Sequence, residues 1–310
     1  MSSSRIKPPA LRPGDTIGVV NPGAAVEREH LERGVGALTA AGYRLKVFQH
    51  VLARDSILAG TDSERAADLM AAFADPQVRA VFCARGGYGC GRLLPLLDFE
   101  LIARDPKPFV GFSDATFVLN ALLSRANLVA IHGPMVSMDS SHVPQPRSRE
   151  HLLRLLSGEI ATFELEARES LHGGDAEGEV VGGCLSVVVA MLGTSYVPDF
   201  AGRIVFLEDT GERAYRVDRM LVQLRQSGAL ARAAGVVFGA IRPVDGSEQE
   251  ARLIARFTAE QTAGLGIPVI SGIEAGHGTA NFALPFGTRA RLDSARRRLE
   301  FFESPVAVSK

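Results

Sequence analysis

A serine stands where an apolar run of strand type ends and a helical segment begins, in Pro108-Phe109-Val110-Gly111-Phe112-Ser113-Asp114-Ala115-Thr116. A hydroxyl held at such a turn projects from a sheet at the start of a helix, whose free N–H groups favour developing negative charge. That is where a nucleophile belongs. The G-x-S-x-G elbow is met except at its last position, which is Ala115. The competing role is a helix N-cap, with Ser113 Oγ bonded to the amide of Thr116 or its neighbour.

A serine hydroxyl needs a base, and near neutral pH that is usually a histidine oriented by a carboxylate. His277 lies in the loop Gly276-His277-Gly278-Thr279-Ala280-Asn281, read as flexible and polar, after an apolar strand. His30 and His151 read as solvated residues on charged helix faces, and His50, His142 and His172 as residues of exposed connections. His132, in His132-Gly133-Pro134-Met135, ends a strand near the same sheet edge as Ser113 and is a candidate for lining the pocket in a structural role. For the acid, Glu208 ends the apolar run 204–207, with Asp209 beside it. Neighbouring strand residues point to opposite faces, so one of the two faces the histidine. Serine, acid and histidine then follow in the chain order of one convergent triad. The loop Arg85-Gly86-Gly87-Tyr88-Gly89-Cys90-Gly91 matches neither phosphate-binding glycine pattern. It is a tight turn, or else the amide of Gly87 joins that of Asp114 in an oxyanion hole beside Ser113.

Elements of the required kind flank these residues. Residues 16–20 read as a strand, 26–41 as a helix ending at Gly42, 44–48 as a strand, 63–73 as a helix capped by Ser63, and 80–83 as a strand. After the glycine loop come the strand 109–111, a helix over 114–124 and a strand over 128–132. Such alternation predicts parallel βαβ units covered on both faces, with ligands beyond the carboxyl ends of the strands. From Met138 to Gly178, Ser, Pro and Gly interrupt the pattern except for a short helical stretch at 151–156, which marks a domain crossing. The expected organisation is a nucleophile domain over 1–140, a linker over 141–178, and a domain over 179–310 carrying the acid and the histidine. That second half reads as α+β or mixed α/β, with strands at 179–181, 203–208, 235–238, 268–271, 289–292 and 299–302 and helices at 185–192, 216–226 and 247–262.

Composition narrows the partners. Lys plus Arg number 34 against 35 Asp plus Glu, a net charge of -1, so no general field draws nucleic acid or an anionic membrane, and a small neutral or zwitterionic partner is expected. Cys83, Cys90 and Cys184 are odd in number without C-x-x-C spacing, which argues against a disulfide framework or zinc site. No cluster has metal-ligand spacing, and no cofactor is expected. The N-terminus lacks an apolar leader and no apolar run is long enough to span a bilayer, which predicts a soluble, cytoplasmic protein.

Taken together, Arg12-Pro13-Gly14-Asp15-Thr16-Ile17, Arg85-Gly86-Gly87-Tyr88-Gly89 with Arg92-Leu93-Leu94, Gly111-Phe112-Ser113-Asp114, His132-Gly133-Pro134-Met135, Gly182-Gly183 with Leu185-Ser186, Phe206-Leu207-Glu208-Asp209, and Gly276-His277-Gly278 with Asn281, Leu284-Pro285 and Gly287 resemble the LD-carboxypeptidases of serine peptidase family S66. The resemblance implies Ser113 as nucleophile, Glu208 rather than Asp209 as orienting acid, and His277 as general base. It implies an α/β architecture, with an N-terminal flavodoxin-like parallel sheet domain, a second, smaller mixed α/β domain of swivelling type, a metal-free site between them, and a homodimer. Its activity would be that of cytoplasmic murein recycling: hydrolysis of the bond between the L-centre of meso-diaminopimelate and the terminal D-alanine of a muropeptide tetrapeptide. The terminal carboxylate would need a cation, for which Arg85 is nearest in sequence, and Tyr88 is the aromatic of that pocket-lining motif. Some members of the family resemble immunity hydrolases that cleave aminoacyl-nucleotide antibiotics and would place an aromatic against the base, whereas this chain has no tryptophan. A non-catalytic two-domain small-molecule binding module is the alternative outside enzymes.

Overall fold

The computed structural model describes residues 4–137 and 145–308, organised around two sheets. In the first, β1 (Thr16–Val20), β2 (Arg44–Val47), β3 (Val78–Cys83), β4 (Phe109–Gly111) and β5 (Ala130–His132) run parallel in the order β2-β1-β3-β4-β5. This is the flavodoxin-like order. Helices α1 (Arg28–Ala40), α2 (Asp62–Ala74), α3 (Phe99–Arg104) and α4 (Thr116–Arg125) alternate with the strands. Successive strand residues feed two separate cores, as the period of two requires. Val81 and Phe109 pack with Leu69, Phe73 and Leu119, while Phe82 and Val110 pack with Leu31, Leu38 and Leu152.

The second sheet holds β6 (Phe163–Glu166), β7 (Glu169–His172), β8 (Asp175–Cys184), β9 (Ile204–Glu212), β10 (Gly235–Pro243), β11 (Val269–Ser271), β13 (Arg289–Asp293) and β14 (Arg298–Phe301), in the order β6-β14-β13-β8-β9-β10-β11-β7. Its centre, β8 to β11, is parallel, and its flanks are antiparallel. The remaining helices are α5 (Pro146–Leu156), α6 (Leu185–Met191), α7 (Ala214–Gln226) and α8 (Glu248–Thr262). The protein is thus a two-domain mixed α/β chain built on a parallel sheet. No described helix is long and apolar enough to cross a membrane.

Three features differ from the sequence expectations. The stretch expected as a linker carries α5, β6 and β7, and both strands are hydrogen-bonded into the second sheet; the expected boundary at 140/141 and His142 lie outside the described residues. Phe163-Glu164-Leu165-Glu166 does alternate apolar with polar, but over four residues only, which is the shortest run that signals a strand. The second half also returns to the first sheet: β12 (Leu284–Phe286) pairs antiparallel with β5, Leu284 opposite His132. Finally, Thr61 rather than Ser63 caps α2, its Oγ1 accepting the Glu64 amide at 3.3 Å while Glu64 Oε2 accepts the Thr61 amide at 2.8 Å.

The two sheets meet where α4 passes β8. Thr116 Oγ1 accepts the Cys184 amide at 3.1 Å, and Asn120 Nδ2 donates to the Gly182 carbonyl at 2.8 Å. A side chain at Gly183, whose φ is +124°, would strike Thr116, so glycine there permits the close approach that brings β4 and β9 to one site.

Candidate active site

Ser113 follows β4 in a single 3₁₀ turn, Ser113–Ala115, that runs into α4. Its φ is +60°, in the left-handed region that costs a non-glycine residue about 1 to 3 kcal/mol. Strain of this kind is what a sharp strand-to-helix elbow imposes on the residue at its tip. The glycine loop passes close by: a Cβ at Gly86 would lie 2.9 Å from Ser113 Cβ and 3.2 Å from Oγ. The Asp114 carboxylate ties the loop to the elbow by accepting the Cys90 amide at 2.8 Å. Burial pushes the Asp114 carboxyl above its ordinary range, although the Cys90 contact works the other way. Among the described residues the Ser113 hydroxyl makes no hydrogen bond, so it is not spent as a helix cap.

Glu208 and His277 come together on the facing side. Glu208 is fully buried at the middle of β9, which runs on to Glu212 rather than ending at 208 as expected, and its Oε2 accepts from His277 Nδ1 at 2.6 Å and from the His277 amide at 3.0 Å. Burial would raise the Glu208 carboxyl, but His277 and His132 hold it down at about 2. Burial likewise pulls the His277 ring down, and the Glu208 charge more than offsets this, leaving the ring above its ordinary value. With Nδ1–H committed to Glu208, Nε2 is the basic nitrogen. Asp209 has a different task. Its carboxylate accepts the amides of Ser186 at 2.7 Å and Thr210 at 2.8 Å, and so holds the start of α6.

The His277 loop, expected to be flexible, is pinned. His277 is only 6% exposed, Asn281 Oδ1 accepts the Gly276 amide at 2.9 Å, and Ser148 Oγ of α5 accepts the Asn281 amide at 3.1 Å. A few residues later the chain enters β12 and is tied to β5. Thus the acid hangs from the second sheet and the histidine loop is anchored to the first.

Ser113, Asp114, Gly87, Arg85 and His277 line one cavity of about 680 Å³. Tyr88 does not: it is 53% exposed and outside the lining, because the turn at Gly87 (φ +90°) and Gly89 (φ +119°) directs it to solvent. Arg85 Nη1 donates to the Ala25 carbonyl at 2.7 Å. Sequence reasoning missed Arg242, which also lines the cavity, opposite Thr210 on β10. The strand was expected to end at 238, but a register irregularity between Phe238 and Ile241 lets it continue to Pro243; the apolar run Ala240-Ile241 was the available signal. Among the described residues the Arg242 guanidinium makes no hydrogen bond or ion pair.

Other histidines differ from expectation as well: His172, expected in an exposed connection, ends β7 half-buried with its Nε2 3.1 Å from Thr262 Oγ1. His151 is packed between Phe163 and Phe282, and burial pushes its ring down to about 4. His132 does not line the cavity but is wholly buried behind Glu208. The three cysteines are buried and free, and burial pushes each thiol up. Among the described residues no group of three His, Cys, Asp or Glu could hold a metal ion.

Residues 17–133 match the LD-carboxypeptidase N-terminal domain, and residues 177–292 match the LD-carboxypeptidase C-terminal domain. The chain is 40% identical to a putative carboxypeptidase of Streptomyces coelicolor, covering 93% of this chain and 94% of that one. It is 36% identical to the murein tetrapeptide carboxypeptidase of Pseudomonas aeruginosa, covering 91% and 94%. Among solved structures, the muramoyltetrapeptide carboxypeptidase of Oxalobacter formigenes superimposes with a TM-score of 0.83 at 31% identity, covering 94% of this chain and 100% of that one. An MccF-like protein of Bacillus anthracis superimposes with a TM-score of 0.86 at 28% identity, covering 96% and 99%. The chain therefore belongs to the LD-carboxypeptidase family and is a serine carboxypeptidase.

Proposed function

We propose that this enzyme releases the terminal D-alanine of murein tetrapeptide, with Ser113 as nucleophile, His277 as general base and Glu208 as orienting acid. The observation that carries this reading is the 2.6 Å contact of Glu208 with His277 Nδ1, on the wall of the cavity that Ser113 enters at the strained end of β4. His277 Nε2 takes the Ser113 proton as Oγ attacks the diaminopimelyl carbonyl. The resulting oxyanion is met by the amides of Gly87 and Asp114. Collapse breaks the C–N bond, and the D-alanine amine leaves with the proton from His277. Water, deprotonated by His277, then hydrolyses the acyl-enzyme and regenerates Ser113. In this reading residues 1–140 supply the nucleophile and residues 179–310 the acid and the base, within a cytoplasmic homodimer that serves murein recycling.

The terminal carboxylate is assigned to Arg242. It shares the cavity with His277, which must lie beside the leaving amine, and its guanidinium has no other partner among the described residues, whereas Arg85 is already engaged by Ala25. The test is release of free D-alanine from murein tetrapeptide, which Ser113→Ala should lower on the order of 10⁶-fold. Amidating the peptide's C-terminus should raise KM for the wild type and not for Arg242→Ala. Activity surviving Ser113→Ala would overturn the mechanism, and equal discrimination by Arg242→Ala would overturn the arginine's role.

A second reading is hydrolysis of an aminoacyl-nucleotide, prompted by a solved structure of the same fold, the self-immunity protein MccF at 21% identity, which is in complex with aspartyl sulfamoyl adenosine. Phe112 and His277 are the aromatic rings among the described lining residues, and they pack on each other at 4.8 Å and are only 9% and 6% exposed, which offers little ring face to a nucleobase. Offering tetrapeptide and an aminoacyl sulfamoyl-adenylate together decides between the two; a higher kcat/KM for the adenylate would replace the murein assignment.

A further inference from the structure

The buried oxygen of Glu208 that does not meet His277 faces another histidine. Glu208 Oε1 has no hydrogen-bond partner, and neither ring nitrogen of His132 has one, although both residues are wholly buried. Unpaired buried polar atoms of this kind are costly, and native interiors seldom keep them without a reason. Here the two unpaired groups face each other, His132 Nε2 and Glu208 Oε1 being 3.8 Å apart. That is too long for a hydrogen bond and close enough for one to form with a small rotation of either side chain.

We propose that His132 is a positioning residue for Glu208: its Nε2–H is directed at Oε1, fixes the plane of the carboxylate, and leaves Oε2 to His277. The proposal rests on the assignment of Glu208 and His277 as acid and base. The surroundings of the ring leave it little other use. Phe112 follows β4, Phe206 precedes Glu208 on β9, and Phe286 ends β12, their ring centroids 5.8, 5.1 and 5.4 Å from that of His132. β4 and β12 present no titratable group to it. Among the described residues Glu208 has the one carboxylate within 4 Å of its nitrogens, and His277 stands on that carboxylate's far side. A ring in an apolar cage, with a single acceptor ahead of it, has one favourable placement for its N–H.

A donor at Oε1 draws negative charge away from Oε2, so it makes His277 less basic than Glu208 alone would. Removing it should therefore move the acid limb of kcat/KM to higher pH. It should also lower kcat on the order of ten- to a hundredfold through misorientation of the acid, with KM little changed. His132→Phe and His132→Leu both remove the donor, and His132→Gln keeps an N–H on a flexible stem and should recover part of both changes. A folded apolar variant with the wild-type limb and kcat overturns the proposal, as does a glutamine variant as impaired as the apolar ones. Lower thermal stability with an unmoved limb overturns it too, since packing alone would do that. The ¹⁵N shifts of His132 in the wild-type protein need no variant: protonation at Nε2 is expected, and an Nδ1–H tautomer overturns the proposal. Failure of the underlying triad would show separately, as activity that survives Ser113→Ala.

Discussion

Ser113 and His277 reach one cavity from two sides built on different principles. On the β4 side the backbone does the work: a serine at φ +60°, a glycine whose missing Cβ leaves room for the hydroxyl, and a loop tied to the elbow through Asp114. On the β9 side the work is done by charge in a dry environment, with a wholly buried carboxylate held ionised by the ring it orients. The first side should tolerate changes of charge nearby and fail when an atom is added. The second should tolerate changes of shape and fail when a charge is lost.

Short of removing the nucleophile itself, the largest expected effect comes from removing that charge with almost no change of volume. Glu208→Gln should leave the fold intact and lower kcat on the order of 10⁴-fold, as the corresponding change does in trypsin-like proteases. Asp209→Asn alters the neighbouring carboxylate, which holds the amides of Ser186 and Thr210, and should cost stability while leaving most of kcat. If the two variants were equally inactive in D-alanine release, the division of labour along β9 would fail.

A smaller loss is expected from one added methyl group on the other side. Gly86→Ala would place Cβ 2.9 Å from Ser113 Cβ and 3.3 Å from the Asp114 amide, which displaces the nucleophile from its line of attack. A displacement of about 1 Å can cost on the order of 10²-fold, and the loss should fall on kcat. The His277 ring resonances should stay at their wild-type positions. Their displacement would mean that the two sides are coupled rather than separately built.

The same contrast explains what the sequence disclosed. Ser113 was legible because a strand-to-helix elbow leaves a local trace, an apolar run followed by glycine and serine. The parallel order of β1 to β5 was legible for a similar reason, since alternating strands and helices at short spacing admit few other arrangements. Glu208 was harder: only a side chain's direction separates it from Asp209, and that depends on the register of β9. Arg242 and β12 were harder still, Arg242 being foreshadowed only by the short apolar run Ala240-Ile241. Arg242 lies beyond an irregularity in β10, and β12 is a three-residue strand whose partner is more than a hundred positions away. Tyr88 was misplaced in the opposite way, a residue of the right loop that two positive-φ glycines turn outwards.

The last and smallest effect is a displacement on the pH axis, and it tests the charge-based side alone. His277 must be neutral to accept the Ser113 proton, and Glu208 raises the ring above its ordinary 6.5 against the pull of burial. The acid limb of kcat/KM should therefore lie above 6.5, with the rate falling as pH drops through it. Stability should follow a different course. A raised His277 contributes stability that is full below 6.5 and is lost as pH rises through the folded value. A lowered Glu208 contributes stability that is full above 4.5 and is lost as pH falls towards about 2. The pair should thus stabilise the fold most between 4.5 and 6.5, below the pH at which the enzyme is fastest. NMR titration of the His277 ring and denaturant midpoints over a pH series measure the two curves. In Glu208→Gln the ring should titrate lower than in the wild type, because burial then acts against the weaker pull of Asp209 alone. A wild-type ring that titrates at or below 6.5, or one that Glu208→Gln leaves unmoved, would mean that burial and not the carboxylate sets the basicity of His277.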